Sequence, residues 1–427
     1  MTGTAKPDGS VGAASCGLDF GTSNSTIGVI SGGNPSLIAL EAHTPMMPSV
    51  VYFSSTGLTP SFGISALEAH GEDQSGRLIR SIKSVLGSSL MTGGDVADGS
   101  GTDYVTILRL FLGAMKSRAE EAVGGALRRA VVGRPVRFVD KSDPRDQAAQ
   151  DELERSLKQT GFDHIEFEFE PVAAARHLAV EDPRAVRILV IDVGGGTTDF
   201  SIILNKPSKS TGASDFSVLA TGSVHEGGND VDQVLALATV ARDLGYRAAL
   251  NDPGRTLPDY PYLDLTKWHR IPQIYKPAIR RSLLGFRCDV QDVRLIDRML
   301  DILARRAGHA LLEKVENAKI ALATAHSVDV HVDDLKDPVS RTLNTHELGE
   351  CFENVFGSVR GVLADVLKQA QLKSTQVDTV LLTGGSSALR GWASMIEGAF
   401  PGARLVRNQP FSRVGLGLTL RAREIFG

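Results

Sequence analysis

The sequence predicts an α/β protein with two similar lobes that share a cleft. Three observations support this prediction. Apolar runs of strand length alternate along the chain with stretches of helical spacing. A pattern of apolar strand, Asp, glycine turn with hydroxyl residues and returning strand occurs twice, 173 residues apart, at Asp19 and at Asp192. The length of 427 residues, 42% of them hydrophobic, suffices for more than one core.

The elements of the first half follow from local periodicity. In the first half we expect a strand, tight turn and strand over residues 16–30, a helix over 104–127, strands at 131–132 and 136–139, and a helix over 146–160.

Residues 251–290, in the second half, break this regularity. They are rich in Pro, Arg and aromatic residues, and we expect an irregular excursion there.

In the second half, an apolar strand over residues 187–193 runs directly into three glycines. Residues 295–323 have the spacing of one long amphipathic helix, and residues 348–367 keep one apolar helical face. A last strand over residues 377–382 ends in Gly384 and Gly385. Strands and helices therefore alternate to the end of the chain.

Composition excludes several classes of protein. The 46 Lys and Arg against 50 Asp and Glu give a net charge of −4, which excludes a globally basic nucleic-acid binder. Cys16, Cys288 and Cys351 form no CxxC pair and are expected to be reduced thiols of a cytosolic protein. No apolar run approaches the about 18 residues of a membrane helix. Residues 1–14 lack the apolar core of a signal peptide, and we expect a disordered leader and a cytoplasmic location.

Common nucleotide and hydrolase motifs are missing. No Gly-Lys dipeptide occurs, so there is no Walker A loop, and a G-x-G-x-x-G fingerprint at the triple glycine fails because Asp199 takes the place of the last glycine. There is no G-x-S-x-G elbow, and the ten His residues lack zinc-ligand spacing. Any nucleotide chemistry must use another phosphate cradle.

The two Asp-glycine turns are suited to such a cradle. Glycines let backbone N–H groups approach phosphate oxygens closely, and Thr or Ser hydroxyls add donors. Asp19 and Asp192, at the strand ends, can hold a magnesium ion through its waters. A plain tight hairpin would also explain residues 19–25. Three successive glycines between Asp192 and Asp199 cost more than a hairpin requires, which favours the phosphate site.

These residues resemble the actin/sugar-kinase/Hsp70 superfamily, and specifically the nucleotide-binding domain of Hsp70. The resemblance covers nearly the whole chain from residue 15, in order, and is greatest to the YegD-like branch of Hsp70 relatives that lack a substrate-binding domain. The segments that carry it are residues 17–25 and 191–199 (the two phosphate turns), 82–87 (the catalytic lysine segment), 131–135, 170–175, 226–230, and 316–319 and 383–387 (the two adenosine segments).

The resemblance implies an actin-like ATPase fold, two lobes each with a ribonuclease H-like mixed sheet and an outer subdomain, with ATP or ADP and Mg²⁺ between them. It implies metal-positioning roles for Asp19 and Asp192, and catalytic roles for Lys83, Glu170, Asp192, Thr197 and Asp199. The implied nucleotide-binding residues are Gly21, Thr22, Ser23, Asn24, Gly194, Gly195, Gly196, Thr197, Gly227, Gly228, Glu316, Lys319, Gly384, Gly385 and Ser386.

The same resemblance gives a domain layout. We expect a leader over 1–14, lobe I over 15–186 with an outer part over 44–102, lobe II over 187–409 with an outer part over 231–345, and a final helix over 410–427 that returns to lobe I. The chain ends about where the family's nucleotide domain ends, so we expect no peptide-binding domain.

Three functions from different classes remain open at this point. The leading one is an Hsp70-like, chaperone-like switch that slowly hydrolyses ATP and presents different surfaces to a protein partner, such as a client, co-chaperone or exchange factor. Residues 251–290 are a candidate partner face, although a loop packed on its own subdomain is the favoured explanation for them. The alternatives are a non-hydrolysing nucleotide sensor, scaffold or actin-like filament former, and a small-molecule kinase with Asp199 as base. Binding to nucleic acid or membrane is not expected.

The base end of the resemblance departs from the family. Ile320 and Ala323 replace the Arg and Ser usual on the adenosine helix, and Ala388 stands where an Arg follows the Gly-Gly-Ser loop, with Arg390 two residues later. Phe411 stands where an acidic residue is usual, and Asn229 where the family has Glu.

These departures predict weaker or less selective adenine binding than in an ordinary Hsp70, because each lost hydrogen bond is worth about 0.5–1.5 kcal/mol. Equilibrium binding of ATP and of GTP to the purified protein would measure the selectivity. High affinity for ATP with sharp rejection of GTP would contradict the prediction.

Overall fold

The computed structural model describes residues 14–55, 59–73, 76–91, 102–138, 144–184, 186–207, 214–407 and 412–427. The predicted leader, except for Ala14, lies outside these residues, as do Phe411 and the end of the predicted outer part of lobe I at residues 92–101.

Strands and helices alternate along most of the chain. The strands are β1 (Ala14–Phe20), β2 (Asn24–Ser31), β3 (Asn34–Leu37), β4 (Met47–Pro48), β5 (Val50–Phe53), β6 (Ser61–Phe62), β7 (Arg77–Arg80), β8 (Leu127–Arg134), β9 (His164–Phe169), β10 (Arg187–Val193), β11 (Thr198–Pro207), β12 (Ser214–Val224), β13 (Ser327–Val332), β14 (Val339–Asn344), β15 (Thr379–Thr383) and β16 (Arg404–Val406). The helices are α1 (Ile64–Glu72), α2 (Tyr104–Val123), α3 (Arg145–Gln159), α4 (Glu170–Glu181), α5 (Gly228–Ala238), α6 (Val240–Asp243), α7 (Tyr260–Leu265), α8 (Ile271–Ile274), α9 (Pro277–Phe286), α10 (Val293–Arg305), α11 (Gly308–Ala321), α12 (Thr345–Phe356), α13 (Val359–Gln369), α14 (Arg390–Ala399) and α15 (Arg413–Phe426).

Two mixed sheets share one topology, as the internal repeat predicts. In the first, the order is β3-β2-β1-β8-β9, with β4 beside β2; in the second it is β12-β11-β10-β15-β16. In each sheet the central strand, β1 or β10, pairs antiparallel with the strand that follows it and parallel with a later one. Each Asp-glycine turn therefore lies at the end of a central strand, where ligands bind in open α/β sheets.

Among the described residues, the three larger buried clusters organise the interior. One lies around the first sheet with α2 and α3, and a second around the second sheet with the helices that follow it. The third lies between the sheets, where α4 and α15 pack together with Val131 of β8 and Ile188 and Val190 of β10. α4 contacts strands of both sheets, and α15 packs against α4 and against the first sheet, so the two helices join the two halves of the protein.

Two smaller units lie beyond the sheets. The sheet β6-β5-β7 packs with α1 around Val50, Tyr52 and Ala66. On the other half, α6 to α11 and the hairpin β13-β14 extend the second core. The predicted boundaries of lobes and outer parts stay a prediction.

Residues 251–290 are more regular than the sequence predicted. They form α7, α8 and α9, and Tyr262 and Ile271 are fully buried in the second core. Pro261, Pro272 and Pro277 each lie in the first turn of one of these helices. Proline is tolerated there because the first N–H groups of a helix have no partner within the helix. The prolines that suggested an irregular segment begin the helices instead.

Three other predicted elements were wrong in detail. The single helix over 295–323 is interrupted at Arg306, which has a left-handed φ of 54°, and the Gly308 N–H donates to the Tyr275 hydroxyl at 3.0 Å. The helical face over 348–367 is divided between α12 and α13. The strand expected at 136–139 does not form over its described part, because the Phe138 N–H donates to the Asp146 carboxylate at 2.5 Å instead of to a neighbouring strand.

The contact between α15 and α4 predicts a steric limit at Gly417. A Cβ at this position would lie 1.8 Å from the Ala173 carbonyl oxygen. We expect Gly417→Ala to lower the free energy of unfolding by about 2 kcal/mol, because the two helices must move apart. Urea unfolding followed by circular dichroism measures this change.

Gly361→Ala is the matched control for Gly417→Ala. Gly361 lies inside α13 with open space around it. Alanine there should stabilise by about 0.5–1 kcal/mol through helix propensity alone. Equal stabilisation by both substitutions would contradict close packing of α15 on α4.

Candidate nucleotide site

The first turn, between β1 and β2, is held in place by Ser49. The Ser49 hydroxyl donates to the Gly21 carbonyl at 2.8 Å, and the Ser49 N–H donates to the Ser23 carbonyl at 2.8 Å. A Cβ at Gly21 would lie 2.1 Å from the Asn24 carbonyl oxygen, so the tight turn needs glycine there. Thr22 and Ser23 at the tip present hydroxyls and N–H groups to the cleft.

The second turn, between β10 and β11, is closed by the Gly194 N–H, which donates to the Thr197 carbonyl at 2.9 Å. Asp192 and Asp199 are directly opposite one another in the antiparallel pair. The Thr197 hydroxyl donates to an Asp199 carboxylate oxygen at 3.4 Å. Two like charges in one cross-strand pair are unfavourable, which indicates a site built for something other than stability.

The two turns converge across the cleft. A Cβ on Gly195 would lie 3.3 Å from the Ser23 hydroxyl oxygen of the opposite turn and 3.2 Å from the Asn229 side chain. Gly384, after β15, has a φ of 81°, and a Cβ there would lie 2.5 Å from an Asp192 oxygen. Glycine is required in these positions because side chains would fill the space between the turns.

Lys83 and Glu170 meet beside the turns from distant parts of the chain. Lys83 lies in a short 3₁₀ helix over Ile82–Val85, and Glu170 is the first residue of α4. Their Nζ and Oε1 atoms are 2.5 Å apart, and each side chain is 10% exposed. This ion pair lies in a cluster of charged side chains that also contains Asp19, Asp192 and Asp199.

The crowding of carboxylates changes the pKa values of the cluster. Burial raises the pKa of Asp19 to about 7, with the Glu170 charge adding to the effect. Burial raises the pKa of Asp192 to about 8, again with the Glu170 charge second. Burial also raises the pKa of Asp199. For Lys83, burial lowers the pKa, but the surrounding carboxylates outweigh it and the pKa is raised overall. The cluster therefore favours an added cation.

The carboxylates fit a magnesium ion that is bound mainly through its waters and through phosphate oxygens. Among the described residues, no group of three or more His, Cys, Asp or Glu side chains is placed to hold a metal directly. Magnesium usually keeps several waters and takes phosphate oxygens, with only one or two carboxylates from the protein. Asp19 and Asp192, one from each sheet, meet that requirement, and a bound Mg²⁺ would neutralise the repulsion between them.

The far end of the cleft is formed by α5, α11 and the loop after β15. The Gly228 N–H donates to the Gly194 carbonyl at 3.0 Å, so residues 227 and 228 support the second turn from behind. Lys319 is paired with the fully buried Asp232 at 2.7 Å and donates to the Gly228 carbonyl at 3.1 Å. The predicted role of Lys319 did not include Asp232, although Asp232 is only two residues beyond the segment that resembled the family.

One cavity of about 2200 Å³ contains nearly all the predicted residues. Gly227 and Gly228 do not line it. Ile320, 59% exposed, lines it together with Ala323 and Ala388. The predicted residues that do line it are Asp19, Gly21, Thr22, Ser23, Asn24, Lys83, Glu170, Asp192, Gly194, Gly195, Gly196, Thr197, Asp199, Glu316, Lys319, Gly384, Gly385 and Ser386.

Several cavity residues were missed by the sequence reasoning. Ser223, opposite Asp199 in the β11-β12 pairing, gives that carboxylate a hydrogen bond that lowers its pKa against burial. Arg80, Trp268 and His309 line the mouth of the cavity. Ser223 could have been found by extending the strand pairing beyond β11; the other three carry no motif.

Comparison with known proteins agrees with this geometry. Two sheets of one topology around a cleft with two Asp-glycine turns are the actin-like ATPase fold. The family model described as Hsp70 protein matches residues 95–243 and 292–402, more than half of the chain. The chain belongs to the Hsp70 family.

Two curated relatives illustrate the similarity. The chain is 24% identical over 390 residues to the "Chaperone protein DnaK" of Mycoplasmopsis synoviae, covering 89% of this chain and 53% of that protein. It is 30% identical over 237 residues to the "Chaperone protein HscA homolog" of Laribacter hongkongensis, covering 51% of this chain and 35% of the relative. The chain thus spans about half or less of the relatives' length. No helix among the described residues is long and apolar enough to cross a membrane.

The raised pKa of Asp192 predicts that this residue destabilises the protein without ligand. Above the ordinary carboxyl pKa, Asp192 ionises more readily in the unfolded chain than in the folded protein, so its effect favours unfolding at neutral and alkaline pH. We expect Asp192→Asn to raise the melting temperature by roughly 2 °C at pH 8, and by less near pH 4. Differential scanning fluorimetry of the nucleotide-free protein measures both values.

Asp378→Asn is the control for charge removal. Asp378 pairs with Arg187 at 3.1 Å, away from the cleft, and accepts the Arg187 N–H at 2.8 Å. Its removal should lower the melting temperature. If Asp192→Asn lowers it as well, the repulsion within the cluster does not dominate.

Proposed function

We propose that the protein binds Mg-ATP between its lobes and slowly hydrolyses it to ADP and phosphate. The observation that carries this proposal is the convergence of two Asp-glycine turns, one from each sheet, beside the Lys83–Glu170 ion pair. Phosphoryl transfer depends mostly on positioning and on neutralising charge, and this cluster supplies groups for both. Membership of the Hsp70 family supports the choice of nucleotide.

The proposed roles follow the geometry. Backbone N–H groups of Gly21 to Ser23 and Gly194 to Gly196 would bind the phosphates, and Asp19 and Asp192 would hold waters of the magnesium ion. Bound Mg²⁺ would offset the charge on the phosphates. The Lys83 ammonium, held 2.5 Å from Glu170, would contact the terminal phosphate and the attacking water.

Asp199 is suited to orient the attacking water. Its carboxylate accepts a hydrogen bond from the Thr197 hydroxyl, and burial raises its pKa, so it can accept a proton more readily than an exposed Asp. Glu170 and Thr197 would complete the position of the water. ADP and phosphate would then leave after the lobes separate.

We further propose that the hydrolysis cycle switches the relative position of the lobes, as a chaperone-like protein with an unidentified protein partner would require. The third core cluster, between the sheets, supports this, because α4 contacts both halves, α15 packs against α4 and the first sheet, and the two helices can transmit a rotation. A partner, a client and a cytoplasmic location remain proposals for this chain.

Single-turnover hydrolysis tests the proposed activity. We expect wild-type protein to convert bound ATP to ADP in the presence of Mg²⁺. Lys83→Ala and Asp192→Asn should slow the step by at least about 100-fold, because the first removes a positive charge beside the terminal phosphate and the second a carboxylate that would hold the magnesium ion's waters. Lys158→Ala is the control: its side chain is 56% exposed and pairs only with Glu154 on the surface of α3. It should hydrolyse at the wild-type rate.

Two outcomes would lead to other conclusions. If wild-type protein binds ATP tightly but produces no ADP, hydrolysis is excluded and a nucleotide sensor or scaffold fits better. If ADP appears only when a small hydroxylated substrate is added, the protein is a kinase in which Asp199 acts as base.

A further inference from the structure

Five side chains meet across the mouth of the cavity. The Arg80 guanidinium carbon lies 4.4 Å from the centroid of the Trp268 ring, and Arg80 Nη1 lies 3.9 Å from Glu316 Oε2. The His70 and His309 rings meet edge to face with centroids 5.6 Å apart, and the Trp268 and His309 centroids are 6.2 Å apart. We call these five residues the clasp.

The clasp joins the small unit beyond the first sheet to the helices beyond the second sheet. His70 belongs to α1 and Arg80 to β7, in the small unit beyond the first sheet. Trp268, His309 and Glu316 belong to helices beyond the second sheet. All five line the same cavity as the two phosphate turns.

Three of the five clasp residues lie outside the ranges that the family model matches. The Hsp70 family model matches residues 95–243 and 292–402. Trp268 lies in the gap between these ranges, and His70 and Arg80 lie before the first. Only His309 and Glu316 fall within a matched range.

We propose that the clasp is an acid-sensitive latch, which closes the mouth of the cleft at neutral pH and must open before a nucleotide can leave. The role in nucleotide escape rests on the function proposed above. The closure itself does not, because the five residues make their contacts with one another and not with a ligand.

The acid sensitivity follows from the two histidines. Burial lowers the pKa of His309 to about 3, with the nearby His70 and Arg80 adding to the effect. Burial also lowers the pKa of His70, with Arg80 second and Asp73 opposing. The closed form thus holds neutral rings. After opening, the exposed histidines regain an ordinary pKa of about 6.5. Protons therefore bind preferentially to the open form.

The other charged groups around the clasp do not cancel this effect. Burial lowers the pKa of Arg80, and the charges of Glu316 and Glu313 oppose this shift, so these two carboxylates act on the guanidinium. Around the rings, the Tyr52 ring packs 5.7 Å from His70, and the Tyr275 hydroxyl accepts from Gly308. His70 Nδ1 is buried without a hydrogen-bond partner among the described residues. A protonated His70 ring would lie beside the Arg80 guanidinium and be repelled by it. Asp73 is the carboxylate that opposes this repulsion.

Distance measurement between spin labels tests the latch in protein without nucleotide. The labels go on Glu68→Cys of α1 and Arg281→Cys of α9, both exposed, in a Cys288→Ser background; Cys16 and Cys351 are buried. We expect one short, narrow distance at pH 7.5. Lowering the pH to 5.5 should reduce the ratio of closed to open protein by about tenfold through His309 alone, and by more through both histidines, because an ordinary histidine pKa lies about one unit higher.

Variants separate the latch from a merely structural role. Trp268→Leu should shift the distance to longer values at pH 7.5, whereas Trp268→Phe keeps an aromatic ring under Arg80 and should stay closed. The double variant His70→Gln and His309→Gln should lose the pH response. His346→Gln, on the exposed face of α12, is the control and should keep it. Far-UV circular dichroism confirms that each variant is folded.

An unchanged distance in Trp268→Leu, or a pH response that persists in the double histidine variant, would overturn the proposal. Release of a fluorescent ADP analogue, followed by stopped flow, then connects the latch with the nucleotide. Faster release from Trp268→Leu supports the role in escape, and equal release overturns it. If the analogue does not bind at all while the distances respond as expected, the proposed nucleotide function fails and the latch stands.

Discussion

The arrangement of the cleft depends on the Lys83–Glu170 ion pair, which is nearly buried among three further carboxylates. Four acidic groups beside one ammonium leave an excess of negative charge in a place with little water, and the raised pKa values of Asp19 and Asp192 are its direct consequence. Such a cluster is unfavourable in the empty protein. The proposed divalent cation would relieve this excess of negative charge, which is why the site is better explained by ligand binding than by stability.

The fold makes this cluster possible by bringing distant segments to one point. Asp19 and Asp192 end the central strands of two sheets with the same topology, and α4 begins with Glu170 immediately after β9. Lys83 comes from the small unit beyond the first sheet. Because α4 contacts both sheets, a change in the cleft can alter the angle between the halves without unfolding either core.

The strand ends of the site could be predicted from the sequence. Contacts between residues that are distant along the chain could not. The turns at Asp19 and Asp192 were predictable because glycine, hydroxyl and carboxylate positions are fixed by local backbone geometry. The interruption at Arg306 was not, because it depends on the Tyr275 hydroxyl, which comes from the connection between α8 and α9. The same is true of Asp232: its partner Lys319 is 87 residues away, and no periodicity relates them.

The prolines of residues 251–290 show a further limit. Proline marks either a loop or the first turn of a helix, and only the burial of residues such as Tyr262 and Ile271 decides between them. The resulting helices bring Trp268 to Arg80 at the mouth of the cleft.

The Asp-glycine turns and the mouth line one cavity but differ in their electrostatics. The inner end accumulates negative charge that a cation relieves, whereas the outer end places neutral histidines beside an arginine and is weakened by added protons. A ligand that neutralises the first and leaves the second closed would be retained longest.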